Sequence, residues 1–439
     1  MMNEISLTLP GYLSRPFFDL GHVCDDSPAY NAPLDMDRRN LSESDDMPML
    51  WQTMNASFRE ELIHAAGYHE YALRDPRQLE EVLRTPDWRA LVAYVEEFPS
   101  LDARMKAKVL RVLNRLGLFK CTIDLTSKDR SLKITDESSA GVSWLRAYAR
   151  YRLHNEGGDV NYSVGEFEHI ATAAPSGLWK LAAIYQKVVQ SVKHEGNVYA
   201  AEAWQKVHSE EIARVSQEIS RHDLLMAKSR FHRVHAFIPQ MKGDGMETRR
   251  EMELAERYAK EAFYGDAIQL AYAKEIAWPV RESSIKEALW SEDLELALER
   301  ALNHRDQDPF DARVWVNCGE VFLEMEKPER ALEAYLEAAR LAPPGGALIN
   351  FMVGHCHEVL GDSDLALDRY LASLRIDPLA ISSARGALRV SEKLGSRLLR
   401  WTQLQVESLE AVGSASPPEA SAPHRQLPPP VGEVATGTR

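Results

Sequence analysis

The sequence predicts an all-α protein, an α-solenoid of antiparallel helix hairpins with disordered N- and C-terminal tails. Three observations lead there. Apolar residues recur three and four apart over most of residues 49–412, the spacing of one buried helix face. Pro and Gly interrupt those runs at helix-length intervals. Between Ala312 and Pro378 the chain repeats itself.

Residues 1–48 form a mostly disordered segment, because Pro10, Pro16, Pro28, Pro33 and Pro48 recur among Asp25, Asp26, Asp35, Asp37, Glu43, Asp45 and Asp46 with little apolar surface to offset ordering. The exception is Leu13, Phe17, Phe18 and Leu20, a patch suited to docking on the body or on a partner. An N-terminal helical region spans 49–140. Leu50, Met54, Phe58, Leu62 and Ile63 share one helix face. Asp75-Pro76 and Thr85-Pro86 mark fresh helix starts, since Pro is tolerated only in a first turn. Helices over Trp88–Phe98 and Leu101–Leu116 follow, the second basic and ending at Gly117. Cys121–Ser143, rich in β-branched residues, suits a short hairpin or a long loop, and a loop at the regional boundary is favoured.

A degenerate helical-repeat region spans 141–279. Helices are expected over Trp144–Leu153, Val164–Ala173 and Leu178–His194, with Gly157-Gly158 and Pro175-Ser176-Gly177 between them. Two long runs fill Asn197–Gln240, with a junction at Ser220–Asp223, and a further helix runs from Glu247 to Phe263. Leu224, Ala227, Phe231, Val234 and Ile238 share a face. Beside it Arg221, Lys228, His232 and His235 fall within an arc of about 60°. This basic stripe either receives an acidic segment or pairs with Glu residues of a neighbouring helix, and the second reading is favoured.

The repeat itself lies in a third region, 280–412. Its first copy has Trp315, Cys318, Gly319 and Phe322, then Ala331, Tyr335, Ala338 and Pro343. The second has Asn350, Val353, Gly354 and His357, then Ala366, Tyr370, Ser373 and Pro378. Ala331 to Ala366 and Pro343 to Pro378 are each 35 residues. This resembles the tetratricopeptide repeat, with its period of about 34 residues and its W-x2-L-G-x2-Y, A-x3-F and P positions. A weaker copy precedes it, since Ala297 to Ala331 and Pro309 to Pro343 are each 34 residues. A pair over Ile381–Val412 lacks the small-residue signature and carries many Arg and Lys, which suits a cap with a polar outer face. The Pro-, Ala- and Ser-rich stretch 413–439 reads as a disordered tail.

The resemblance implies that the motif residues are a packing frame and that a partner protein or peptide lies in a concave groove. Carried onto this register, the groove is lined by Arg313, Val316, Glu320, Leu323 and Glu324, then by Leu348, Phe351, His355, Glu358 and Val359, with Arg385 and Arg389 from the capping pair. The carboxylate clamp of some family members is not kept, because its positions hold Val316, Glu320 and Met352.

Composition excludes other classes. A formal charge of −14 disfavours nucleic acid and anionic membranes as partners. The four cysteines Cys24, Cys121, Cys318 and Cys356 are scattered, as in a reducing compartment, and no signal peptide or membrane span is evident. A soluble, cytoplasmic scaffold or adaptor is therefore expected, with homo-oligomerisation left open. An accessory subunit that presents a substrate to an enzyme is the alternative. A regulator with a DNA-binding helical unit at 87–117 is a third reading, resting on Lys106, Lys108, Arg111 and Arg115. No nucleotide-binding or hydrolase motif occurs, so neither catalysis nor a cofactor is expected. His355, Cys356 and His357 are no metal set, because i and i+2 point apart on a helix.

Overall fold

A computed structural model describes residues 75–415, apart from 79–80, 82–85, 116–117, 128–132, 156–164, 194, 266, 308, 310–311, 342–345 and 377–379. The expected disordered segment 1–48, the first helix near Leu50–Ile63, most of the tail 413–439, and the closing Pro343 and Pro378 lie outside the described residues. The described chain is built of α-helices and two short 3-10 turns, with no strand among the described residues. It divides by its contacts into two compact units on either side of Asp293–Leu294.

The first unit holds α1 (Pro86–Glu96), α2 (Ala103–Arg115), α3 (Phe119–Ser127), α4 (Glu137–Asn155), α5 (Gly165–Ala173), α6 (Leu178–Lys193), α7 (Val198–Val215), α8 (Arg221–His235), α9 (Phe237–Met241), α10 (Gly245–Glu261) and α11 (Ala267–Trp290). Its largest core gathers Leu91 and Val95 of α1, Val109, Leu110 and Leu113 of α2, Leu145 of α4, Phe167 of α5 and Ile184 of α6. Trp179 packs so tightly on Gly141 that a β-carbon there would lie 2.7 Å from the indole. The basic helix α2 is thus a core element: Arg111 is buried, with its guanidinium 5.3 Å from the Trp179 ring centroid.

Cys121–Ser143 corrects the sequence reading, because it contains α3 and the start of α4 rather than a loop. Low helix propensity is overridden by tertiary bonds. Thr122 donates its hydroxyl to Asn114 Oδ1 at 2.8 Å, and Asn114 Nδ2 donates to the Leu145 carbonyl at 2.8 Å. Later helices begin where side chains cap them: Asn197 accepts from the Ala200 N–H, Ser220 from Asp223 and Asp244 from Glu247. Helix α11 keeps Pro279 in its interior, so the expected boundary between 279 and 280 lies within one helix.

Two carboxylates meet the start of α6. The Gly177 N–H donates to Glu211 at 3.3 Å and the Trp179 N–H to Glu137 at 3.4 Å. Burial pushes the Glu137 carboxyl up to about 7, and the Glu211 charge adds to the rise.

The second unit holds α12 (Leu294–Gln307), α13 (Ala312–Glu324), α14 (Pro328–Leu341), α15 (Gly346–Leu360), α16 (Ser363–Ile376), α17 (Ile381–Leu394) and α18 (Leu399–Ala415). Each helix packs on the next, and α15 also reaches α17, the nearest-neighbour order of a solenoid. Gly319 faces the Tyr335 ring so closely that a β-carbon would lie 2.6 Å from it. Gly354 stands in the same relation to Tyr370, at 3.0 Å. Ala331 and Ala366 are fully buried beside these rings, while Trp315 is half-buried and donates its indole N–H to the Pro309 carbonyl at 2.8 Å.

The last pair departs from the sequence reading twice. Helix α17 does have small packing residues, since Ala384 and Ala387 are buried and a β-carbon on Gly386 would lie 2.7 Å from the Tyr370 ring. Nor is the surface of α18 uniformly polar: Trp401 is 43% and Leu404 47% exposed.

The two repeat tyrosines differ in one bond. Tyr370 donates its hydroxyl to Glu358 at 2.5 Å, whereas the buried Tyr335 hydroxyl has no partner among the described residues. The residue 35 positions before Glu358 is Leu323, which cannot accept. Tyr370→Phe is therefore expected to cost about 1–2 kcal/mol, and Tyr335→Phe to be neutral or slightly stabilising. Denaturant unfolding of the two variants checks this. Glu137 makes a pH prediction. Its carboxyl is raised in the folded chain, so its contribution is complete below the unfolded value and lost as pH rises through about 7. Glu137→Gln should be more stable than wild type at about pH 8, with the gap closing toward about pH 5, by thermal unfolding.

Candidate protein-interaction site

The residues assigned to a groove fall on α13, α15 and α17, all within the second unit. On α13, Arg313, Val316, Glu320, Leu323 and Glu324 are half-buried. Val316 and Leu323 pack against the core formed by Tyr335, Met352 and Val353, so they serve packing as much as surface. On α15 the positions divide. Leu348 is 60% and Val359 51% exposed. Phe351 is half-buried, stacked on His355 at 6.5 Å and tilted against Tyr370 at 5.7 Å. Burial and the Arg389 charge hold the His355 imidazole below the ordinary histidine range, while Glu358 opposes them.

The charged positions are joined to one another. Arg389 donates Nη2 to Glu358 at 2.9 Å and Nε at 3.1 Å, bridging α17 to α15. Burial alone would raise the Glu358 carboxyl, but Arg389 and the Tyr370 hydroxyl hold it below the usual range. Arg385 turns the other way and pairs with Glu410 of α18 at 2.9 Å. Sequence reasoning missed these links, which cross 12, 31 and 25 residues and have no local signature. What remains open on α15 is an apolar pair, Leu348 and Val359, eleven residues and three turns apart on one face. The neighbouring Cys356 is buried and its thiol pushed up to about 12 by that burial, while His357 lies 3.4 Å from Asp362.

The structure brings three of the four basic-stripe residues to one side of α8. Arg221 lies over Tyr264, Lys228 over Tyr258, and His232 pairs with Glu251 at 2.9 Å while stacking on Tyr258. His235 is separated from them. It is fully buried, with Nε2 3.2 Å from Nδ1 of the buried His208.

No protein-family model matches the sequence, and no curated protein does. Among solved structures, the human IFIT1 dimer with PPP-AAAA is similar at 12% identity, over 87% of this chain and 94% of that one, with a TM-score of 0.41. Naa15/Naa10 bound to HypK-THB is similar at 13% identity, over 81% and 63%, with a TM-score of 0.33. The Cut9–Hcn1 hetero-tetramer of the APC/C is similar at 12%, over 88% and 96%, with a TM-score of 0.29. These likenesses are distant, and nothing about a ligand of this chain follows from them. The class rests on its own packing. Hairpins stacked through glycine–tyrosine contacts 35 residues apart make the second unit a tetratricopeptide-like α-solenoid.

The histidine pair gives this surface a measurable signature. Burial, together with the Arg230 and His232 charges, pushes His208 down to about 3, and burial with the His208 charge lowers His235 well below the ordinary value. Both imidazoles stay neutral in the folded chain while the unfolded chain takes up protons near pH 6.5. Their contribution is thus complete above about pH 6.5 and lost as pH falls below it, for His208 down to about 3, by up to about 1.4 kcal/mol per pH unit for a single histidine. Thermal unfolding at pH 7 and pH 5 should show a smaller loss in His208→Gln/His235→Gln than in wild type.

Proposed function

We propose that the chain is a scaffold or adaptor that captures an extended segment of another protein on the α13–α15–α17 face. Leu348 and Val359 carry this reading: two exposed apolar side chains on one helix face, beside a layer of Phe351 and His355. Their separation along α15 is about 16 Å, at 1.5 Å per residue. An extended segment advances about 3.3 Å per residue and turns alternate side chains to one face, so anchors four or six residues apart bracket it. The partner segment is therefore expected to place two apolar anchors at one of those spacings.

The Glu358–Arg389 pair gives the same face polarity without leaving a bare charge. Its carboxylate accepts from both Arg389 and Tyr370, so a partner donor meets an oriented acceptor. No catalytic role enters this reading. Nor does the DNA-binding one: Arg111 is buried against Trp179, and Lys106 lies over Phe98 at 5.6 Å. No helix among the described residues is long and apolar enough to cross a membrane, and the cytoplasm is the compartment we infer from the scattered cysteines.

Affinity capture with the intact chain tests the proposal. Leu348→Asp/Val359→Asp changes only exposed side chains, so folding should be retained, as circular dichroism would report. Partners captured by wild type should be reduced at least tenfold in this variant. An unchanged partner set would remove the face from consideration.

A further inference from the structure

Half-buried and buried cations in the first unit usually meet a carboxylate. Arg150 reaches Glu166 at 2.6 Å, Lys187 reaches Glu168 at 3.4 Å, and Arg249 reaches Glu287 at 3.1 Å. Two arginines on α8 do not. Arg233 donates Nε to the Pro279 carbonyl and to Ser283 Oγ, both at 2.9 Å, and Nη1 to the Tyr185 hydroxyl at 2.9 Å. All three acceptors are neutral. One turn earlier, the Arg230 guanidinium lies 4.3 Å from the centroid of the same Tyr185 ring. It hydrogen-bonds that phenol as well, and no carboxylate pairs with it among the described residues. One phenol therefore gathers two positive charges, and neither forms an ion pair among the described residues.

Withdrawing a guanidinium from water without an opposite charge is unfavourable, and a single aromatic face does not replace its hydration. Burial pushes the Arg230 guanidinium below its ordinary range, and the neighbouring Arg233 adds to that. Arg233 is fixed by three acceptors and so is pre-aimed, while Arg230, half-buried beside it, has no carboxylate partner among the described residues. The arginine fork matches the two oxygens of a carboxylate.

We propose that Arg230, Arg233 and Tyr185 form an oxyanion site that receives an acidic side chain of a partner protein. A peptide carboxylate suits it better than a nucleic acid, because two cations in a chain of net charge −14 balance one anion but repel a polyanion. The site belongs to the first unit and the α13–α15–α17 face to the second.

Binding of the full-length protein to an array of acetylated peptides, each Glu-containing peptide printed beside its Gln twin, tests this. A set of Glu peptides should bind at least tenfold better than their twins, with a preference that weakens as salt is raised. Arg230→Gln should abolish the preference without lowering the melting temperature, Arg230→Lys should restore part of it, and Leu348→Asp/Val359→Asp should keep it. The proposal is overturned if Arg230→Gln retains the preference, or if it melts several degrees lower, which would mark Arg230 as structural. It is equally overturned if Arg230-dependent binding appears only with inorganic phosphate or an oligoadenylate.

Discussion

The ring of Tyr370 lies between Gly354 and Gly386, and α15, α16 and α17 approach one another only because neither glycine carries a β-carbon. A helix hairpin cannot bury its apolar face alone, so the second unit depends on how closely successive hairpins stack. The Gly319–Tyr335 contact applies the same constraint one repeat earlier. Fully buried Ala331, Ala366, Ala384 and Ala387 keep the surrounding helices at that distance. The surface positions between these residues follow from this frame, since a rotation of α15 that buried Leu348 would carry Gly354 off its tyrosine.

The repeat was legible because its requirements are local and periodic. Gly319 and Gly354, Ala331 and Ala366, and Tyr335 and Tyr370 each recur at 35 residues, and the structure uses every one in packing. Helix ends marked by Asn197, Ser220 and Asp244 were readable for a similar reason, because a cap lies within three residues of its target. Where the reading failed, the deciding contact was remote. Helix α3 is held by a hydroxyl–amide–carbonyl relay from Thr122 through Asn114 to Leu145. Gly386 stands 32 residues after Gly354, off the repeat period, and only the Tyr370 ring reveals its role. The candidate face was legible as a list of positions, but which were open was not. Exposure of Leu348 and half-burial of Phe351, three residues apart on one helix, depend on neighbours from other hairpins.

Charge is used differently in the two units. On α15 and α17 the groove charges are joined to each other, and Arg385 to Glu410, so this face offers shape and apolar surface more than a net field. On α8 the cations are set on rings: Arg221 on Tyr264, Lys228 on Tyr258, Arg230 on Tyr185. A cation on a ring keeps its charge available, whereas a cation on a carboxylate does not. This contrast, rather than the number of basic residues, underlies the two proposed surfaces, one for apolar anchors and one for an acidic side chain.

The bridge from Arg389 to Glu358 joins two hairpins that are already in contact, and it does so across the face where a ligand would lie. A ligand group that draws either partner away also releases a tie that sets the angle between the hairpins. In a stack where each hairpin is oriented only by its neighbours, that angle is the local curvature. Occupancy and curvature are then one variable, and a stiffer stack would bind a narrower range of segments.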